Sequence, residues 1–95
     1  MTAAQSVVSV DNDEIRVTTW TFDVRGAATG RHRHEFDYLV VPVTGGTFVV
    51  TGADGSTREM VQIAGSPYLG VAGTTHDVAN TPGREAVFVE IELKH

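Results

Sequence analysis

The chain has 95 residues, 41% of them hydrophobic and 20% charged, and it contains no cysteine. A chain of this length forms a single domain and buries about two-thirds of the surface its unfolded state exposes, so its core is small. Seven basic residues against twelve acidic ones give a net charge of −5, which argues against a nucleic-acid partner, and the lack of cysteine excludes disulfides, thiolate metal sites and a cysteine nucleophile.

Residues 1–14 are weakly patterned and are expected to form an N-terminal arm or edge strand ahead of a domain spanning residues 15–95. The first clear strand runs from Ile15 to Phe22. On it Thr18, Trp20 and Phe22 share one face, and Val17, Thr19 and Thr21 share the other. A loop over residues 25–30 follows. A second strand is expected from Arg31 to Val43, with both faces apolar from Tyr38 onward and so covered on both sides. Gly45-Gly46 turns the chain. Thr47–Thr51 and Ser56–Ile63 form a hairpin whose tip is Ala53-Asp54-Gly55. Short strands follow at Tyr68–Val71 and His76–Ala79, and Thr81-Pro82-Gly83 marks another turn. The last strand, Ala86–Leu93, alternates Val87, Val89, Ile91 and Leu93 against Phe88, Glu90 and Glu92. The two glutamates are expected on a solvated face. No window carries the 3.6-residue apolar period of a helix. About eight short strands without a helix imply an all-β sandwich or small barrel. The longest apolar stretch, Tyr38–Val43, is far below the roughly 20 residues of a membrane span. Met1–Val10 lacks the basic start and apolar run of a signal. A cytoplasmic location with no membrane partner is therefore expected.

Three of the four histidines fall in suggestive places. His32 and His34 lie two apart on an expected strand, so their side chains point the same way. His76 sits beside a later strand. A neighbouring strand that brings His76 alongside the pair places three imidazoles around one ion, and imidazole suits zinc, iron, nickel and copper. His95 carries no pattern. Trp20, Phe22 and Phe36 read as core or pocket wall, and Asn80 as a residue that fixes a turn through local backbone hydrogen bonds. Gly26, Gly45, Gly65 and Gly73 read as turn glycines with positive φ.

The spacing of these residues resembles the two signature motifs of the cupin superfamily. Gly26 is followed after five residues by His32-x-His34, then after three by Tyr38 and after six by Gly45. Gly65 is followed after five residues by Val71, then by Gly73, His76 and Asn80 at the motif's intervals. Two positions depart from the pattern. Tyr38 stands where cupins place a metal-binding glutamate, and Val71 stands in place of a proline. Glu35 and Asp37 are near in sequence but have the opposite parity to His32 and His34. The runs Arg31–Val43, Thr75–Asn80 and Phe88–Lys94 are similar to those of very small single-domain cupins, the beta-alanine degradation (BauB-like) group among them.

The resemblance implies a single-domain cupin double-stranded β-helix, a jelly-roll barrel. It also implies one divalent metal ion (Fe, Zn, Ni or Mn) on His32, His34 and His76. Tyr38 is expected to face the interior as a fourth ligand, a substrate hydrogen-bond partner or a packed pocket residue. Three neutral imidazoles leave the ion's +2 charge uncompensated, which favours a small anionic metabolite at the open positions. The expected function is a metal-dependent dioxygenase, isomerase or lyase acting on a small carboxylate or carbonyl compound; the alternative is a non-catalytic metal- or metabolite-binding sensor. The small core and the apolar stretch through Leu39, Val41 and Val43 lead us to expect a homodimer.

Overall fold

The computed structural model describes residues 2–95 and contains nine strands and no helix among them. These are β1 (Gln5–Asp11), β2 (Ile15–Phe22), β3 (His32–Arg33), β4 (Asp37–Pro42), β5 (Gly46–Gly52), β6 (Thr57–Gln62), β7 (Tyr68–Gly70), β8 (Thr75–Asn80) and β9 (Ala86–Leu93). They form two antiparallel sheets facing each other, a five-stranded sheet in the order β1-β2-β9-β4-β7 and a four-stranded sheet in the order β3-β8-β5-β6. No helix of the described residues is long and apolar enough to cross a membrane. Met1, the first residue of the expected arm, lies outside the described residues; β1 pairs along the edge of β2.

The β-branched and aromatic residues of β2 and β9 pair without interruption from Ile15 with Leu93 to Phe22 with Ala86, which suits their strand preference. The inward side chains close the barrel around Phe22, Phe48 and Phe88. Phe22 meets Phe48 edge-on at 5.2 Å between ring centroids, and Phe88 lies 5.3 Å from Phe22. Aromatic rings pack well in such tilted and edge-to-face pairs. Of the expected wall aromatics, Phe22 is in this core, Trp20 packs against it, and Phe36 is half-buried outside it. Asn80 is buried, and its amide donates to the carbonyls of Asp23 and Arg84, tying two loops to β8.

Two expectations are corrected. The stretch 31–43 is not one strand: β3 belongs to the four-stranded sheet and β4 to the other. The chain crosses between sheets at residues 34–36, so both sheets share the ends of one apolar-rich run. The second correction concerns β9. Its buried face carries Ala86, Phe88 and Glu90, whereas Val87, Val89 and Ile91 are only partly covered. Glu90 is 9% exposed and lies inside the barrel rather than on a solvated face. Glu92 is half-buried at the surface and pairs with Arg16.

The outside of the five-stranded sheet is apolar in register. Leu69 on β7, Leu39 on β4, Ile91 on β9, Val17 on β2 and Val10 on β1 are successive cross-strand partners. Leu69 is 71% exposed. In this row, which spans five strands, Leu39, Ile91 and Val17 are only partly covered within the chain.

Candidate metal centre

Strand register brings the histidines together. β3 pairs with β8 so that His32 lies directly opposite His76. His34 follows two residues on, and its backbone is fastened to the β7–β8 turn. The His34 N–H donates to the Thr74 carbonyl at 2.9 Å, and the Gly73 N–H donates to the His34 carbonyl at 2.8 Å. Gly73 holds this turn at a φ of 90°, a conformation that glycine adopts without strain.

The three imidazoles converge through their Nε2 atoms. His34 Nε2 lies 3.1 Å from that of His32 and 3.0 Å from that of His76. The ring centroids are 4.8 to 5.0 Å apart for every pair, with interplanar angles of 71° to 86°. This is a three-bladed arrangement with its donor atoms at the hub. An ion held at about 2.0–2.1 Å from each nitrogen would subtend roughly 90–100° between such neighbours, so the donor set fits one ion with its remaining positions open. His32, His34 and His76 are also the only cluster of at least three potential ligand side chains among the described residues.

The protonation pattern suits ligation. The His32 Nδ1 lies 2.8 Å from the Gly30 carbonyl. A carbonyl only accepts, so Nδ1 carries the proton and Nε2 presents a lone pair. Burial, then the neighbouring imidazoles His32 and His76, holds the His34 pKa down at about 4. Burial, followed by the positive ends of His32 and Arg58, holds His76 at about 4. Both are neutral at pH 7. Behind His34, Glu90 Oε1 lies 3.5 Å from Nδ1. Burial above all, with help from the Glu92 charge, pushes the Glu90 carboxyl up to about 7. With His34 neutral the contact is not an ion pair at that pH. When ionised, Glu90 is placed to accept the Nδ1 proton, which leaves Nε2 free to face the hub.

Tyr38 is clamped rather than aimed. Its ring stacks on His34 with centroids 3.8 Å apart and planes 18° from parallel. Its other face lies over Gly70, its cross-strand partner, where an added Cβ would fall within the tyrosine ring. Burial, and next the Glu90 charge, raises the phenol to about 12, so it is protonated at pH 7 in the metal-free chain. We expect Gly70→Ala to displace the ring, to cost about 1–3 kcal/mol as an overpacked site does, and to lower metal content by removing the backing of His34. Tyr38→Phe, which keeps the ring, is expected to retain metal; its loss from Tyr38→Phe by elemental analysis would make the hydroxyl a ligand.

The hub opens on a cavity of about 570 Å³ whose lining includes the three histidines, Tyr38, Tyr68, Arg58 and Glu90. Glu35 and Asp37 stay outside it: both are exposed, and Asp37 accepts the Ala72 N–H at 2.8 Å. Arg58 is not singled out by the sequence reading, and Glu90 is placed by it on a solvated face. The signal for Glu90 was its parity with Phe88, the single aromatic of that strand. The signal for Arg58 was the symmetry of the hairpin about Asp54, which sets it opposite Val50.

No family model matches the chain. The beta-alanine degradation protein BauB of Pseudomonas aeruginosa is 47% identical over 91 residues, which is 96% of this chain and 94% of that protein. The crystal structure of a cupin domain from Bordetella pertussis superposes with a TM-score of 0.93 at 38% identity, covering 99% of this chain and 96% of the other. A double-stranded β-helix protein from Klebsiella pneumoniae shares the fold with a TM-score of 0.78 at 16% identity, over 97% of this chain and 77% of its own.

Proposed function

We propose that this chain, which belongs to the cupin superfamily, holds one divalent ion on His32, His34 and His76 and uses it to bind, and as an enzyme to transform, a small anionic carboxylate or carbonyl metabolite. The observation that carries this reading is the convergence of three Nε2 atoms at the base of a cavity. Lone pairs brought this close repel one another unless a proton or a cation lies between them, and a cation at the hub serves all three nitrogens at once. A divalent ion there supplies Lewis acidity, polarising an oxygen of the ligand. The chain supplies the rest. Neutral imidazoles leave the ion's charge undiminished for an anion, and the barrel walls limit water around it. The name of the BauB relative ties that protein to β-alanine degradation. β-Alanine is itself a small carboxylate, in keeping with the charge argument. The proposal includes a homodimer, supported by the apolar row from Leu69 to Val10 on the outer sheet, since large exposed apolar patches mark contact surfaces.

The test is made on protein prepared without a histidine tag. Elemental analysis is expected to find about one Fe, Zn, Ni or Mn per chain, light scattering a mass of two chains, and a thermal-shift screen stabilisation by small carboxylates. Iron with oxygen uptake that depends on one of those ligands would identify an oxygenase. Tight zinc with a ligand shift and no turnover would identify a binding module instead. Failure to take up any of the four metals would end the reading.

A further inference from the structure

The β5–β6 hairpin pairs Val50 with Arg58, Phe48 with Met60 and Gly46 with Gln62. Val50 and Phe48 are buried in the core, and directly opposed residues share a face, so Arg58, though exposed to solvent, is set on the side of β6 turned to the barrel, at the cavity's edge. It lines the main cavity with His76, and it also borders the smaller hollow formed with Gly52, Thr74 and Thr75. Gly52 is the cross-strand neighbour of His76 and has no side chain to fill the space between them. Among the described residues Arg58 has no ion pair and no hydrogen-bond partner, unlike Arg16 with Glu92 or Arg25 with Asp23. It is the only arginine or lysine in the cavity lining.

A guanidinium is a planar fork of donors that matches a carboxylate in two parallel hydrogen bonds. β6 and β8 are separated by β5 alone, so about 10 Å of backbone spacing lies between the arginine and the histidine strand. With both side chains projecting into that gap, a molecule of only a few atoms spans what remains. We propose that Arg58 is the second anchor of the site and that the ligand is a small bifunctional carboxylate, held by one carboxylate on Arg58 and by a second oxygen donor at the three-histidine centre. This rests on the metal reading above and adds to it the shape of the ligand. It also distinguishes Arg58 from a charge placed inward merely to keep an edge strand from pairing with another chain.

The test uses zinc-loaded full-length protein and three probes, acetate, malonate and succinate, titrated calorimetrically against wild type, Arg58→Gln and Arg58→Lys. At least one dicarboxylate is expected to bind wild type about tenfold or more tighter than acetate. Arg58→Gln should erase that preference while leaving zinc content and melting temperature at wild-type levels. Arg58→Lys, which keeps the charge and loses the fork, should fall between the two. Zinc that loads normally with no dicarboxylate preference, or a preference that survives Arg58→Gln, overturns the inference and leaves the metal site standing. Arg58→Gln that associates into larger species while binding the probes as wild type assigns Arg58 to edge protection. Protein that does not load zinc overturns the metal reading and this inference together.

Discussion

His32→Ala, His34→Ala and His76→Ala are each expected to lose most of the bound metal, with affinity down more than about 100-fold, whereas His95→Ala keeps it. Loss of a residue that merely orients a ligand costs roughly 10–100-fold, and each of these changes removes a donor outright. His34 is expected to be the most severe. It is the nitrogen with a close neighbour on either side, it is 4% exposed, and its ring backs Tyr38. His34→Ala therefore opens a void beside Tyr38 as well as a gap in the donor set, and should lower the melting temperature of the metal-free protein too. His32→Ala removes a half-buried ring at the rim and should leave the metal-free protein close to wild type. Elemental analysis of tag-free protein, with melting curves before and after chelation, separates these outcomes. Full occupancy in the triple variant would place the metal elsewhere.

The features that could be read without coordinates are those encoded locally. Thr18, Trp20 and Phe22 alternate on one strand, and the strand forms where that alternation puts it. His32 and His34 share a face because strand periodicity is two, and the resemblance to cupin spacing supplied His76. Features that depend on register or on a choice of face were harder. On β9 the side of Phe88 also carries Glu90 and Glu92, so alternation alone points to the opposite side, Val87, Val89 and Ile91, as core. The preference for the side of Phe88 over that of three β-branched residues was decided by the aromatic cluster with Phe22 and Phe48, which is a tertiary fact. The crossing between sheets after Arg33 leaves no composition signal, because Phe36 and Tyr38 continue the apolar pattern of the run. Arg58 reads as an ordinary exposed charge; it is exposed, and only the hairpin register, which sets it opposite the buried Val50, shows that it borders the cavity.

The metal is expected to stay bound down to about pH 5 and to be released below it. An unperturbed histidine titrates near 6.5, and on that basis affinity would already fall between pH 7 and 5. Burial changes the window. His34 and His76 are held at about 4 in the folded chain, so protons compete for these two nitrogens only near that value, and retention at pH 5 needs no carboxylate from Glu35 or Asp37.

The same shifts set the stability of the metal-free protein. Between about 4 and 6.5 the unfolded chain binds protons at these two positions that the folded chain refuses. Their contribution is complete above 6.5 and is lost as pH falls toward 4. Glu90 acts in the opposite sense. Its folded value of about 7 exceeds its ordinary value of 4.5, so its contribution is complete below 4.5 and is lost as pH rises through 7. Across the overlap one carboxyl offsets one imidazole, leaving a fall of at most about 1.4 kcal/mol per unit of acidification. Glu90→Gln removes the offset. The metal-free variant should be more stable than wild type at pH 8 and should lose stability more steeply between 6.5 and 4.5. Melting curves of metal-free and metal-loaded protein across pH 4 to 8 give both results. Release of metal centred near pH 6.5 would count against the low values that burial gives His34 and His76.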